Sequence, residues 1–403
     1  MKSIMCIIFT FLFIQPLSGQ GGNKSKVTVI NLAKSFSNLQ EVPLSRFVDE
    51  ITYVPLETCP QAMIGGVDYY EVTDEYIIVR QNIKREYKIL LFDRKTGKFI
   101  REIGKNGRGP GEYSFFSFIP FNPVKKVLYA MSASREILVY DILGRNIDKI
   151  KMPEYEDQYG EVISLGTEPI LFETMLDDNV FVGKFINLNG VEKNKLVLLS
   201  REGVMKIFPN YQCLTTKVIR TPNINRADAT FYKWDNKLYY IEAYSDTLYE
   251  VTKSSLLPRY AFDLGRQSLT WAKLADESYS DTRNYSFITD IDENKNYIFI
   301  KMRIASKGYF LGIIEKKTNI VTFCMYNNWG DPGLKNDIRE LMDVLHTDFT
   351  QKNEMVSVIQ PLELMSWLKA NPEKAALAKT RLPWLKNIDE LSNPIIAIGK
   401  CKE

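Results

Sequence analysis

The feature that most constrains this chain is a hairpin that returns at a regular interval. Each copy is an alternating apolar strand, a polar turn carrying Gly, Asn or Ser, and a second strand. The copies occupy residues 89–97 with 99–103, 137–144 with 147–150, 196–203 with 204–208, 247–254 with 259–262, and 309–319 with 320–323. Their turns fall near residues 96, 144, 202, 254 and 318, a spacing of 48 to 64 residues. A further apolar strand precedes each hairpin, at 76–79, 126–129, 179–182, 237–241 and 297–300. Period-two alternation broken by turn residues is the mark of antiparallel strands, and repetition about every 50 residues is the mark of propeller blades. The expected fold is all-β: a six-bladed β-propeller of four-stranded antiparallel blades.

A lone blade cannot hide both faces of its sheet, whereas blades packed around an axis bury them against one another. That arrangement accommodates 22 Tyr and 22 Phe in a chain that is 45% hydrophobic, since aromatic side chains suit pleated, half-buried surfaces. Five units leave the chain ends over. Apolar segments remain at 27–30, 51–56, 355–359 and 394–399. A sixth blade follows if residues 52–56 become its outer strand beside 394–399, closing the ring and removing two exposed edges. Cys59 and Cys401 then lie beyond opposite ends of that strand pair and are expected to be unbonded. Between 330 and 392 a helical insert is expected, with an amphipathic helix over 336–349 and short helices over 362–370 and 373–379, bounded by Pro361, Pro372 and Pro383.

The stretch Gly104 to Gly111 holds four glycines and a proline, followed by Glu112 and Tyr113. It lacks the Lys-Ser/Thr ending of a phosphate-binding P-loop, and residues 114–119 alternate like a strand rather than opening a helix. It reads as the crossover from the outer edge of the first blade to the axis of the second, where glycine permits close backbone approach.

The run FDRKTGKFIREIGKNGRGPGEY resembles the signature of six-bladed propellers abundant among exported proteins of Bacteroidetes, relatives of NHL-repeat propellers and mostly of unknown function. Val54-Pro-Leu-Glu-Thr58, Ser245-Asp-Thr-Leu-Tyr-Glu250 and Ser392-Asn-Pro-Ile-Ile396 add to the resemblance, which spans nearly the whole chain after residue 19. It implies the fold and export, and offers no catalytic residues.

Lys2, the apolar run 4–14 and Pro16-Leu-Ser-Gly19 read as a signal peptide over 1–19, too short to span a bilayer. One propeller domain then occupies 20–403. Gln20 stands where a lipoprotein would carry Cys, so a lipid anchor is not expected, and the product is periplasmic or extracellular. With 52 Lys+Arg interspersed among 49 Asp+Glu, no basic footprint for nucleic acid exists. Cys59, Cys213, Cys324 and Cys401 form no CxxC pair, which excludes zinc-ribbon spacing.

Catalytic constellations are sparse. His346 is the only histidine, so multi-imidazole metal sites cannot be built. Residues 290–296 begin like an EF-hand loop, but Lys295 and Lys301 stand where Gly and Glu are needed. They read as a hairpin turn, and the acids at 177–178 and 74–75 as solvated turns. Neither cofactor nor metal is expected. Trp234, Trp271, Trp329, Tyr232, Tyr239, Tyr240 and Tyr244 are stacking candidates for a glycan, or else blade packing. Residues 272–284 read as a polar rim loop. The candidate ligand-binding residues are Arg108, Glu112, Tyr113, Trp271, Tyr279 and Arg283, with Glu112 also the candidate catalytic carboxylate. The reading is a binding or scaffold propeller for a glycan, peptide or protein. The alternative is a carboxylate-dependent glycan- or peptide-directed hydrolase or lyase working in the propeller channel.

Overall fold

The computed structural model describes residues 27–403 except 66–68, 85, 117–118, 157–159, 188–189, 215–228, 243, 271–272, 274–281, 326–332, 340 and 344–347. The chain begins with β1 (Thr28–Asn31) and β2 (Val48–Pro55), then lays down blades in sequence order. Blade 1 is β3 (Tyr69–Val72), β4 (Tyr76–Ile83), β5 (Glu86–Asp93) and β6 (Phe99–Glu102); blade 2 is β7 (Phe115–Phe116), β8 (Val127–Met131), β9 (Ile137–Asp141) and β10 (Asn146–Ile150). A small hairpin follows, β11 (Glu154–Glu156) and β12 (Val162–Ser164). Blade 3 is β13 (Ile170–Asp177), β14 (Val180–Phe185), β15 (Asn194–Ser200) and β16 (Gly203–Pro209); blade 4 is β17 (Thr230–Trp234), β18 (Lys237–Ile241), β19 (Thr247–Val251) and β20 (Leu256–Asp263). Blade 5 is β21 (Phe287–Glu293), β22 (Tyr297–Ile304), β23 (Gly308–Glu315) and β24 (Val321–Met325). Blade 6 joins the two ends of the chain: β25 (Asp348–Phe349), β26 (Glu354–Ile359), β27 (Ile395–Cys401) and, outermost, β2.

Six apolar clusters fill the spaces between successive blades. Ile89, Leu91, Leu128 and Leu138 join blade 1 to blade 2, for example, and Ile77, Leu90, Ile396 and Ile398 join blade 6 to blade 1. The sheets thus bury both faces against neighbours, which is the reason the strands read as near-continuous apolar runs. Phe299, Leu311 and Ile313 of blade 5 share a cluster with Ile51, Met355 and Ile395 of blade 6, and onto it pack helices α1 (Pro361–Ala370) and α2 (Pro372–Arg381), through Leu364, Leu368, Ala375 and Ala378. Each helix starts on its proline, where a missing N–H costs nothing. The helix expected over 336–349 is not there: described residues 336–339 and 341–343 are irregular, and Asp348–Phe349 is a strand. Asn336 explains this, because its side chain donates to Tyr53 Oη (2.9 Å) and to the carbonyl of Met342 (3.2 Å), local bonds that compete with helical ones.

The ring closes through β2 and β27, antiparallel with Ile51 opposite Gly399 and Pro55 opposite Ile395. Asn393 seals it. Its Nδ2 donates to the carbonyls of Glu57 (2.7 Å) and Ala62 (2.6 Å), its Oδ1 accepts the Ile64 N–H (2.9 Å), and its own N–H reaches Thr58 Oγ1 (2.8 Å). The two motifs at opposite ends of the chain, Val54–Thr58 and Ser392–Ile396, are therefore hydrogen-bonding partners. Cys59 packs in the cluster between blades 6 and 1 and Cys401 in that between blades 5 and 6, so the two thiols are free and on opposite faces of blade 6.

The N-terminal segment does more than close the ring. β1 lies parallel to β20 on the outer edge of blade 4, with Thr28 opposite Tyr260 and Asn31 opposite Asp263. Asn38 and Gln40 then bond both sides of Phe323 on blade 5, and Leu44 bonds Lys335 before β2 begins. One continuous belt thereby binds the outer edges of blades 4, 5 and 6.

Candidate functional site

The inner strands of blades 5, 6 and 1 carry a concentration of carboxylates. β17 neighbours β21, and β21 neighbours β25, around the axis. A register shift between Ile288 and Asp290 breaks the regular pairing of β21 with β22, the kind of bulge that re-aims side chains beside functional sites. Asp290 accepts Lys301 Nζ at 2.8 Å, the Thr230 hydroxyl at 3.2 Å and the Ile291 N–H at 3.0 Å. Two residues on, Asp292 is buried. It accepts the Glu293 N–H (2.7 Å) through Oδ1 and the Phe349 N–H (2.9 Å) through Oδ2.

The same Phe349 N–H donates to Asp348 Oδ1 at 2.8 Å, so one amide holds the carboxyl groups of two different blades together. Asp292 and Asp348 also hydrogen-bond to each other. Two ionised carboxylates so placed repel, which favours retention of a proton by the pair. Burial pushes Asp348 up to about 6, and burial reinforced by the Asp348 charge drives Asp292 well above the carboxylate range. Tyr69 of β3 lies in the same field: burial, then Glu71 and Asp348, raise its hydroxyl well above the ordinary value. Glu71 is engaged by Arg80 (2.9 Å) and by the Phe121 N–H (2.8 Å). Asp290, Asp292, Asp348 and Glu71 thus converge from three inner strands, and the first and last have cations of their own.

Next to this group lies a second, saturated one. Glu293, fully buried, receives Arg259 in a fork, Lys316 and the Tyr232 hydroxyl (3.1 Å). Arg259 rests on the rings of Tyr239 (4.3 Å) and Tyr260 (4.9 Å), and Lys316 on Trp234 (4.7 Å). Every group has a partner, and the cluster clamps blade 4 to blade 5. Tyr232 and Tyr239 stack on each other and Tyr240 is buried, so these stacking candidates pack blades. Between blades 2 and 3 a cleft of about 220 Å³ is lined by Lys125, Tyr129, Asp148, Asp178, Phe181 and Arg201 among others. Its rim is self-paired, Arg201 to Asp148 at 2.5 Å and Lys125 to the Asp178 carbonyl at 2.6 Å, and its aromatic floor is buried.

The residues expected from sequence do not gather at one place. Arg108 is exposed on the corner between blades 1 and 2. Glu112 turns back on its own loop: its Oε2 accepts the Gly109 N–H (2.9 Å), and a Cβ on Gly107 would stand 2.0 Å from that oxygen. Tyr113 is buried against Tyr140, whose hydroxyl donates to the Gly111 carbonyl at 2.8 Å. The glycine-rich stretch is the interblade corner its spacing suggested. Arg283, exposed, accepts Ser306 N–H through its carbonyl (2.7 Å) in the turn leading to blade 5. Trp271, Tyr279 and His346 lie outside the described residues, as do the signal-peptide stretch, Trp329 and most of the 272–284 loop. The turn acids are less solitary than expected. Asp177 meets Lys253 at 2.9 Å, Asp74 meets Lys352 at 2.9 Å and Glu75 meets Lys126 at 3.3 Å, each across a blade boundary. Asp292 was missed because residues 290–296 read as a hairpin turn, whereas Asp290–Glu293 end the inner strand β21 and only 294–296 turn; Asp348 lies in the two-residue β25, and only the ring brings the two together.

Residues 27–400 match the profile of a domain of unknown function, DUF4934. No curated protein matches the sequence. Among solved structures, an exported protein of Bacteroides fragilis is similar over 94% of this chain and 100% of its own, with 15% identity and a TM-score of 0.62. A member of the duf4221 family from Bacteroides vulgatus is similar over 88% and 97%, with 10% identity and a TM-score of 0.48. The first likeness concerns the fold, and no described helix is long and apolar enough to cross a membrane.

Proposed function

The chain belongs to the DUF4934 family, and on that scaffold we propose a recognition propeller whose ligand is a glycan held at the axial carboxylates. The observation that carries this reading is the convergence of Asp290, Asp292, Asp348 and Glu71 from three inner strands, with Lys301 on Asp290 and Arg80 on Glu71. Vicinal hydroxyls present two O–H donors at the spacing of one carboxylate's two oxygens, and a pair that shares a proton tolerates a neutral polyol without needing a counter-ion. Peptide ligands are the competing class.

A catalytic second reading is favoured by one feature, the coexistence of a protonated and an ionised carboxyl. Their direct contact runs against glycosidase chemistry, which places its carboxyl groups about 5 to 10 Å apart, and is closer to the shared-proton pairs of peptide hydrolysis. The test is a glycan and peptide array on the protein starting at Gln20, with product analysis of every hit and with Asp348→Asn and Glu112→Gln alongside. Glycan retention without turnover, weakened at least tenfold by Asp348→Asn and unchanged by Glu112→Gln, supports the recognition reading. Turnover lost in Asp348→Asn overturns it in favour of hydrolysis.

A further inference from the structure

Arg303 of β22 is half-buried yet meets no carboxylate among the described residues. Arg80, Arg94 and Arg259, by contrast, each meet one, on Glu71, Glu354 and Glu293 in turn. The Arg303 guanidinium lies over the Tyr309 ring at 5.3 Å, and its Nε is buried with no acceptor. A buried N–H left unmet is costly, and an apolar side chain of similar length would fill the place without that penalty. Packing therefore does not account for the arginine. Stacking on Tyr309 occupies only the face of the guanidinium and leaves its edge, with the two terminal nitrogens, for an incoming group.

Strand alternation fixes where Arg303 lies. Ile298, Ile300, Met302 and Ile304 of β22 pack in the cluster shared with blade 4, and Phe299 packs in the one shared with blade 6. Arg303 is in phase with Phe299 and Lys301, so it belongs to the side of blade 6. In the pairing of β22 with the inner strand β21, Arg303 stands opposite Phe287, Lys301 opposite Asp290 and Phe299 opposite Asp292. At about 3.3 Å per residue, Arg303 is then about 7 Å along the blade from the level of Asp290 and about 13 Å from that of Asp292. It lies toward the end of the ring where the connection into blade 5 arrives, since the turn after β22 donates the Ser306 N–H to the Arg283 carbonyl at 2.7 Å.

We infer that Arg303 is an anion subsite of the axial recognition site, whose two terminal nitrogens take the carboxylate of an acidic sugar while the neutral sugars linked to it reach the axial carboxylates. The inference rests on the glycan reading above and specifies the ligand as a glycan carrying a uronate unit. The guanidinium fork matches the two oxygens of a carboxylate, which is why arginine rather than lysine suits the position. The spacing also keeps the ligand's charge away from the acids of the site. In an open channel about 13 Å exceeds the Debye length of about 8 Å at physiological salt, so Asp292 repels a uronate held at Arg303 only weakly. A uronate placed among the axial carboxylates would meet them at contact distance. The charge therefore belongs at one end of the ligand, and two linked sugars bridge the gap.

Calorimetry on the protein starting at Gln20 tests this, with laminari- and cello-oligosaccharides ending in glucose, in glucuronate or in a sulfated glucose, and with an aspartate-rich peptide. Glucuronate-capped oligomers are expected to bind about tenfold to a hundredfold more tightly than their glucose-capped counterparts. Arg303→Met keeps a long side chain on the Tyr309 ring; it is expected to abolish that preference, to leave affinity for the neutral oligomers unchanged and to hold Tm, since no ion pair is lost. Arg303→Lys, a point charge without the fork, is expected to keep only part of the preference. A preference that survives Arg303→Met, tighter binding of the sulfated caps, or a fall in the Tm of Arg303→Met as large as that of Glu293→Ala would overturn the subsite. Neutral oligomers bound without preference for glucuronate defeat the subsite and leave the glycan reading standing, whereas retention of the peptide alone, or of nothing, defeats both.

Discussion

Asn393 is the most exacting test of the ring seam. Its side chain is 1% exposed and makes three hydrogen bonds, two donated to the Glu57 and Ala62 carbonyls and one accepted from the Ile64 N–H. All three partners are backbone groups of the N-terminal segment, more than three hundred positions away. Asn393→Ala removes the bonds and leaves the partners buried; at about 1 kcal/mol for each net bond the loss is about 3 kcal/mol. Asn393→Asp is a sharper perturbation. It keeps the acceptor for Ile64 but sets a carboxylate against two carbonyl oxygens, so it is expected to cost more than the alanine although it is nearly isosteric. Urea midpoints of the two variants give the energies, and hydrogen exchange in β2 and β27 locates them. The reasoning fails if Asn393→Asp is milder than Asn393→Ala, or if exchange rises equally in a distant blade such as blade 3.

Two further outcomes follow from contacts between blades. Gly97 sits at φ +68°, and a Cβ there would stand 2.0 Å from the Pro55 carbonyl oxygen of β2, whereas Gly111 at φ +72° has its nearest neighbour at 3.4 Å. Gly97→Ala is thus expected to cost about 3 kcal/mol and Gly111→Ala about 1 kcal/mol, and equal denaturant midpoints would contradict the close approach. Glu293→Ala strands Arg259 and Lys316 between blades 4 and 5 and is expected to cost about 3 to 5 kcal/mol; a loss below about 1 kcal/mol would mean that water already neutralises the clamp.

Most of the ring was legible before any coordinates. The second and third strands of blades 1 to 5 are largely buried, so their apolar runs stand out, and the turns after the third strands carry Gly, Asn or Ser. The pairing of residues 51–55 with 395–399 was legible as well, because two orphan apolar segments at opposite ends had nowhere else to go. Inner strands were harder. β7 and β25 are two residues each, too short to show a period, and β21 mixes Asp290, Asp292 and Glu293 with its apolar residues. The axial carboxylates stayed hidden for the same reason. Nothing in Asp292 or Asp348 announces a partner lying on another blade, and the Phe349 amide bridges them only once the ring is shut. The belt was overlooked because Thr28–Asn31 pairs in parallel, a relation that no turn between the strands advertises. One signal was readable: a cation follows the third strand in blades 1, 3, 4 and 5, at Arg94, Arg201, Lys253 and Lys316, and each reaches the preceding blade.

The belt also dictates the order in which this protein can mature. Translation delivers β1 and β2 first, yet the strands they lie against, β20 and β27, emerge late, and Asn393 almost last. Until then the early blades stand as an open arc with two raw sheet edges. A message cut short before the final strand would leave that arc permanently unzipped, a form that proteases and self-association would remove, so quality control over the whole molecule is written into its closing residues.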